Sequence, residues 1–230
     1  GEKKEKNQEL FQQAAMHIPI TELDNGIYYR ARIIDPADGE NTGIIKENGI
    51  PISGYDDLHS GVAPASAIKI TGRVNHAGEQ VLYLAEDIKT SCKEQKAAEN
   101  DYISVAECTI KNRISVMDFT IMASDGLDSL FSDETVQFFA SHYSVDIRAF
   151  YIFIKDYLTS PAYAEQNYAV PLDFLDILKN RKDISGIKYN SSYTDKHNIA
   201  LWDENKNNRC TNSKVVKGKQ QAPPSSAGQN

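Results

Sequence analysis

Cysteine is scarce in this 230-residue chain, and the little there is forms no pattern: Cys92, Cys108 and Cys210 are odd in number and show neither Cys-x-x-Cys nor zinc-ligand spacing. Neither a disulfide framework nor a structural metal site is therefore expected, and a reducing cytoplasm is the compartment that fits. No apolar run approaches the length needed to span a bilayer, so no membrane partner is expected. The opening Gly1-Glu2-Lys3-Lys4-Glu5-Lys6 has no apolar core of a signal peptide behind it. Positive charge is not in excess either. The net charge of -7 argues against direct nucleic-acid binding, because phosphate backbones reward a basic face, and any anion site must be local. No internal repeat is present, and no serine, histidine and acid stand at the spacing of a nucleophilic triad.

The hydrophobic content of 40% is enough for one well-packed domain. Leu10, Phe11, Ala14 and Ala15 recur at helical spacing, so residues 1–20 read as an N-terminal helical segment. Ile27 to Ile34 is rich in β-branched and aromatic residues and reads as a first strand. Residues 35–65, with five Gly and three Pro, read mostly as loop. Strands are expected near 67–71, 80–85, 102–109 and 114–118, with a helix at about 91–99. The apolar positions between Val136 and Leu158 recur every three or four residues and predict two helices broken near 141–144. A helix at 172–179 behind Pro171 then leads into strands at 186–191 and 198–202. Residues 21–204 read as an α+β catalytic domain. After Glu204 the chain has five basic residues and no acidic ones, and 205–230 read as a disordered tail.

Arg73, Tyr83 and Glu94 are the residues that point to chemistry. They stand ten and eleven residues apart, on a glycine-bounded turn (Gly72 to Gly78), a hydrophobic strand and the helix after it. A planar guanidinium meets two phosphate oxygens at once and keeps its charge at physiological pH. A carboxylate near a developing cation stabilises it electrostatically. Each residue also has a plainer reading. Arg73 could be a surface arginine, Tyr83 a core tyrosine on the Val81, Tyr83, Ala85 face of its strand, and Glu94 the closing residue of a capping box with Ser91.

Four ordered blocks resemble the RES domain, a family of NAD-degrading toxins named for its Arg, Glu and Ser. They are Gly72-Arg73-Val74-Asn75-His76-Ala77-Gly78, Leu82-Tyr83-Leu84-Ala85, Thr90-Ser91-Cys92-Lys93-Glu94 and Gly186-Ile187-Lys188-Tyr189-Asn190-Ser191, and Asn198-Ile199-Ala200-Leu201-Trp202 is similar to the family's ending. The resemblance covers about residues 27–203. It departs from the family at His76 and Asn190, where proline is usual, and at Pro171-Leu172, where relatives carry Gln second. It implies an α+β fold like that of ADP-ribosyltransferases and an NAD phosphorylase or glycohydrolase acting in the cytoplasm, made there or delivered to it. Arg73, Tyr83, Glu94 and Ser191 would be catalytic. Arg30, Arg73, Asn75, Tyr83 and Ser192 would bind NAD, with Arg32 the alternative to Arg30 and Ser192 adjacent to the favoured Ser191. Inorganic phosphate would be the co-substrate, with no cofactor and no metal. The implied partner is an Xre-type helix-turn-helix antitoxin or another immunity protein, and a homodimer is compatible with the sequence. A mono-ADP-ribosyltransferase and a degenerate, non-catalytic interaction module are the alternatives.

Overall fold

A computed structural model describes residues 2–120, 145–160, 169–202 and 209–218. The α+β expectation holds. The strands are β1 (Ile20–Leu23), β2 (Ile27–Ile33), β3 (Lys46–Glu47), β4 (Ile50–Pro51), β5 (Leu82–Ala85), β6 (Tyr102–Thr109), β7 (Ile114–Asp118), β8 (Gly186–Asn190), β9 (His197–Leu201) and β10 (Arg209–Lys217). The helices are α1 (Glu2–His17), α2 (Asp57–Ser60), α3 (Ile88–Glu94), α4 (Val145–Thr159) and α5 (Ala169–Lys179). Eight strands form one mixed sheet in the order β1-β7-β8-β9-β5-β2-β6-β10, and β3 and β4 form a separate hairpin. Within the large sheet β7 and β8 run parallel; the other neighbours are antiparallel.

The two faces of the sheet follow from the alternation of side chains along the strands. Val81 and Tyr83 face one core, with Met117, Ile187, Tyr189 and Ala200, and α1, α4 and α5 cover it through Phe11, Phe150, Ile154, Phe174 and Leu175. Leu82 and Leu84 face the other core with Val116, Ile199 and Leu201. The stacked Phe11 and Phe150 rings, with centroids 4.9 Å apart, fasten α1 to α4. Pro171 lies in the first turn of α5, where a helix has no partner for its N–H groups in any case.

One join in the sheet is weak by construction. β2 pairs with β6 along all seven of its residues, but with β5 only at Tyr29 and Ala85. The strands β1, β7, β8, β9 and β5 on one side and β2, β6 and β10 on the other therefore meet at a single rung, and a cavity opens beside it.

Several expectations need correction. Residues 67–71 are not a strand: a 3-10 turn at Ala65–Ala67 precedes irregular chain, and Ile70 is exposed, because no neighbouring strand is there to pair with it. The helix carrying Glu94 starts at Ile88, since the Asp87 side chain accepts from Thr90 N at 2.6 Å and caps it. Residues 145–159 of the expected helical pair are one helix; the upstream half and the break at 141–144 lie outside the described residues. The tail is not disordered over 209–217. Its ladder with β6 satisfies the backbone, Val215 packs near Ile34, Ile44 and Tyr55, and Val216 packs on the cluster of Ala31, Ala97 and Ile103. Polar composition hid this, because the half-buried pair Val215-Val216 is flanked by the exposed Lys214 and Lys217. Finally, Cys108 and Cys210 are bonded as direct cross-strand partners of β6 and β10, although 102 residues separate them. Sequence spacing could not show a pairing created by the sheet. Among the described residues, no helix is long and apolar enough to cross a membrane.

Candidate active site

The Arg73 turn is built by close backbone approach. A Cβ on Gly72 would strike the Asn75 side chain and crowd the Tyr83 hydroxyl, and Gly78 has a φ of 80°, so both positions suit only glycine without strain. The Tyr83 hydroxyl accepts from Val74 N at 3.0 Å and donates to Asn75 Oδ1 at 2.8 Å, so this phenol holds the turn in shape. Asn75, buried, spends its amide on His76 O and does not line the cavity. Outside the turn, His76 meets Asp176 at 2.9 Å and Glu79 meets Lys179 at 2.7 Å, tying it to α5.

Arg73 reaches across to the end of α4. Its guanidinium donates to the carbonyls of Leu158 and of Ser160 (3.1 Å), and lies 3.4 Å from Ser192 Oγ, while Tyr157 Oη donates to the backbone carbonyl of Arg73 at 2.7 Å. A cation at a helix C-terminus is favourable, and carbonyls there lack helical partners. Arg73 also lines the cavity. Ser192 donates to Thr159 O and so belongs to this same tie.

Glu94 is placed differently from a capping residue. It is the last residue of α3, where the helix dipole opposes a negative charge. What holds it is external: Ser191 Oγ donates to Oε1 at 2.6 Å, and Asn198 Nδ2 donates to the same oxygen at 2.7 Å. Ser191 in turn accepts from Tyr193 N at 3.1 Å. Two buried donors thus fix one carboxylate oxygen, and neither touches Oε2.

Glu94 lines a cavity of about 350 Å3, within the range of small-molecule sites. Its walls come from β2 (Tyr29, Arg30, Arg32), β5 (Tyr83, Leu84), the end of α3 (Ser91, Glu94) and the turn after it (Lys96), β8 (Tyr189) and β9 (Asn198), with Tyr193 from the loop between the last two. Among the described lining residues, Arg30, Arg32, Arg73 and Lys96 outnumber the one carboxylate, Glu94, so the cavity is locally cationic in an acidic chain. Arg30 and Arg32 share one strand face and both line the cavity. Arg32 is pinned, stacked 4.3 Å from the Tyr55 ring centroid and donating to His59 O at 2.8 Å.

The structure thus brings Arg30, Arg32, Arg73, Tyr83 and Glu94 to one cavity, with Ser191 reaching it through Glu94. Asn75 and Ser192 stand behind its wall. Sequence reasoning had not assigned Asn198, Tyr189, Tyr193 or Lys96. Asn198 and Tyr189 lie within the motif blocks themselves, so their signal was present; Tyr193 and Lys96 offered none. Burial, foremost, and then the nearby Tyr83 and Glu94 push the Tyr189 phenol well above its ordinary value, against the opposing pull of Arg73. The Cys92 thiol is also pushed up by burial, which makes its thiolate scarce. Away from the cavity, His76, Glu79 and Asp176 place ligand-type atoms together, but the Lys179 ammonium already bonds both carboxylates.

Three comparisons bear on this arrangement. A family profile described as the RES domain matches residues 50–221. No curated protein matches the chain. Among solved structures, the crystal structure of the M. tuberculosis MbcT-MbcA toxin-antitoxin complex is similar at 12% identity and a TM-score of 0.47, covering 90% of this chain and 92% of that one.

Proposed function

The chain belongs to the RES domain family, and on that footing we propose that it degrades NAD by cleaving the bond between nicotinamide and ribose. The observation that carries this reading is the Glu94 carboxylate, held on one oxygen by Ser191 and Asn198 at a helix end that disfavours it, in a cavity where the other charged residues described, Arg30, Arg32, Arg73 and Lys96, are cations. As the bond between ribose C1″ and the pyridinium nitrogen breaks, its electron pair neutralises the ring and nicotinamide leaves. Positive charge builds on the ribose, and Glu94 stabilises it. Arg30 and Arg73 hold phosphate oxygens, with Arg32 the neighbouring alternative on the same strand face.

Inorganic phosphate is the attacking nucleophile. Its oxygen bonds to C1″, giving ADP-ribose-1″-phosphate, and an anion prepositioned by an arginine has a high effective concentration at that carbon. The protein acts as a toxin or effector, restrained by an Xre-type antitoxin or other immunity protein. Mass spectrometry of the products from purified protein and NAD tests the chemistry. ADP-ribose-1″-phosphate should form only with phosphate supplied, at a rate that rises to saturation. Free ADP-ribose at an unchanged rate makes water the nucleophile, ADP-ribose bound to added protein makes this a transferase, and intact NAD ends the reading.

A further inference from the structure

We propose that Tyr189 is a substrate-contacting residue whose hydroxyl donates a hydrogen bond to a ribose hydroxyl oxygen beside Glu94. The inference rests on the NAD-cleaving reading and assigns a further residue to the same site. Tyr189 lies on β8, two residues before the Ser191 that holds Glu94, and it lines the cavity although the residue is 5% exposed. Among the described residues its hydroxyl makes no hydrogen bond, whereas the phenols of Tyr83 and Tyr157 nearby are both spent on the Arg73 turn. Tyr193 Oη is fully buried without a hydrogen-bond partner, whereas the Tyr189 oxygen is open to the cavity, where a ligand can take the place of water as its partner.

The chemistry of the surroundings selects that ligand. Tyr189 lies within electrostatic reach of Glu94, and the donors on Glu94 both converge on Oε1. The cavity therefore offers an acceptor, Glu94 Oε2, and a donor, Tyr189 Oη, in one place. A pair of neighbouring sugar hydroxyls matches them: one donates to the carboxylate, the other accepts from the phenol. Burial keeps the phenol protonated, so it acts as a donor across the whole range in which the protein would work. No proton is transferred in this contact.

Tyr189→Phe isolates the claim, because it removes only the oxygen. With no protein partner lost, the variant should keep or raise its melting temperature, while kcat/KM for NAD falls about tenfold, the factor one hydrogen bond supplies. Two NAD analogues, lacking the 2- or the 3-hydroxyl on the nicotinamide ribose, then locate the contact. With one of them wild type and Tyr189→Phe should perform alike. A tenfold penalty that persists with both analogues, or a lowered melting temperature, overturns the inference in favour of a packing role. Full NAD turnover by Tyr189→Phe overturns it while leaving the NAD reading intact. Wild-type protein that neither cleaves NAD nor binds ADP-ribose in calorimetry overturns both.

Discussion

At the scale of the single residue, Glu94 separates a structural reading from a functional one. Its neighbours Ser91, Cys92 and Lys93 spell a capping box, and that box would have sat at a helix start. Asp87 starts the helix instead, and Glu94 ends it, where the dipole is unfavourable and two buried donors must compensate. Glu94→Gln keeps the shape and removes the charge. NAD cleavage should fall by about a hundred- to a thousandfold, roughly 3 to 4 kcal/mol, with the fold intact by circular dichroism. Near-normal turnover by the folded variant would remove Glu94 from the mechanism. The spacing of Arg73, Tyr83 and Glu94 was legible because strand, turn and helix are local. The partners that use Tyr83 and Asn75 were not, since a hydroxyl that shapes a turn and one that meets a substrate look alike in sequence.

Between elements, the Arg73 turn is the part most dependent on distant chain. It is held from inside by Tyr83 on β5, at its tip by the end of α4, and outside by α5. Arg73→Lys conserves charge but cannot reproduce a planar fork that meets two carbonyls at once. It should lose about 1 to 3 kcal/mol of stability in denaturant unfolding as well as NAD turnover. If Arg30→Lys is crippled in turnover and Arg73→Lys is affected only in stability, the phosphate clamp lies on β2 and Arg73 is a fastening. The regular strands were legible from alternation: β2, β6, β7, β8 and β9 stand within a residue or so of where their patterns place them. The strand expected at 67–71 failed because local β-propensity needs a neighbour to pair with. β10 was missed for the converse reason: β6 supplies the neighbour that its polar sequence does not announce.

For the whole molecule, the consequence falls on the C-terminal part. A chain ended at Asn205 lacks β10, its ladder with β6 and the Cys108–Cys210 bond. It should unfold at a clearly lower temperature than the full chain. Cys210→Ser isolates the covalent contribution, which chain entropy puts at about 5 kcal/mol for a closed loop of this size. An unchanged melting temperature for the shortened chain would show that β10 adds nothing to the fold.

The cavity has no single owner in the chain. Its walls run from Tyr29 on β2, through the Arg73 turn and the end of α3, to Asn198 on β9, and the strands that bring them together are neighbours in space but far apart in sequence. Contacts of that kind form late and together, since loop closure opposes each of them until the others are in place. A partial chain therefore has no partial site. On the proposed reading, NAD cleavage therefore requires both halves of the sheet as well as the carboxylate.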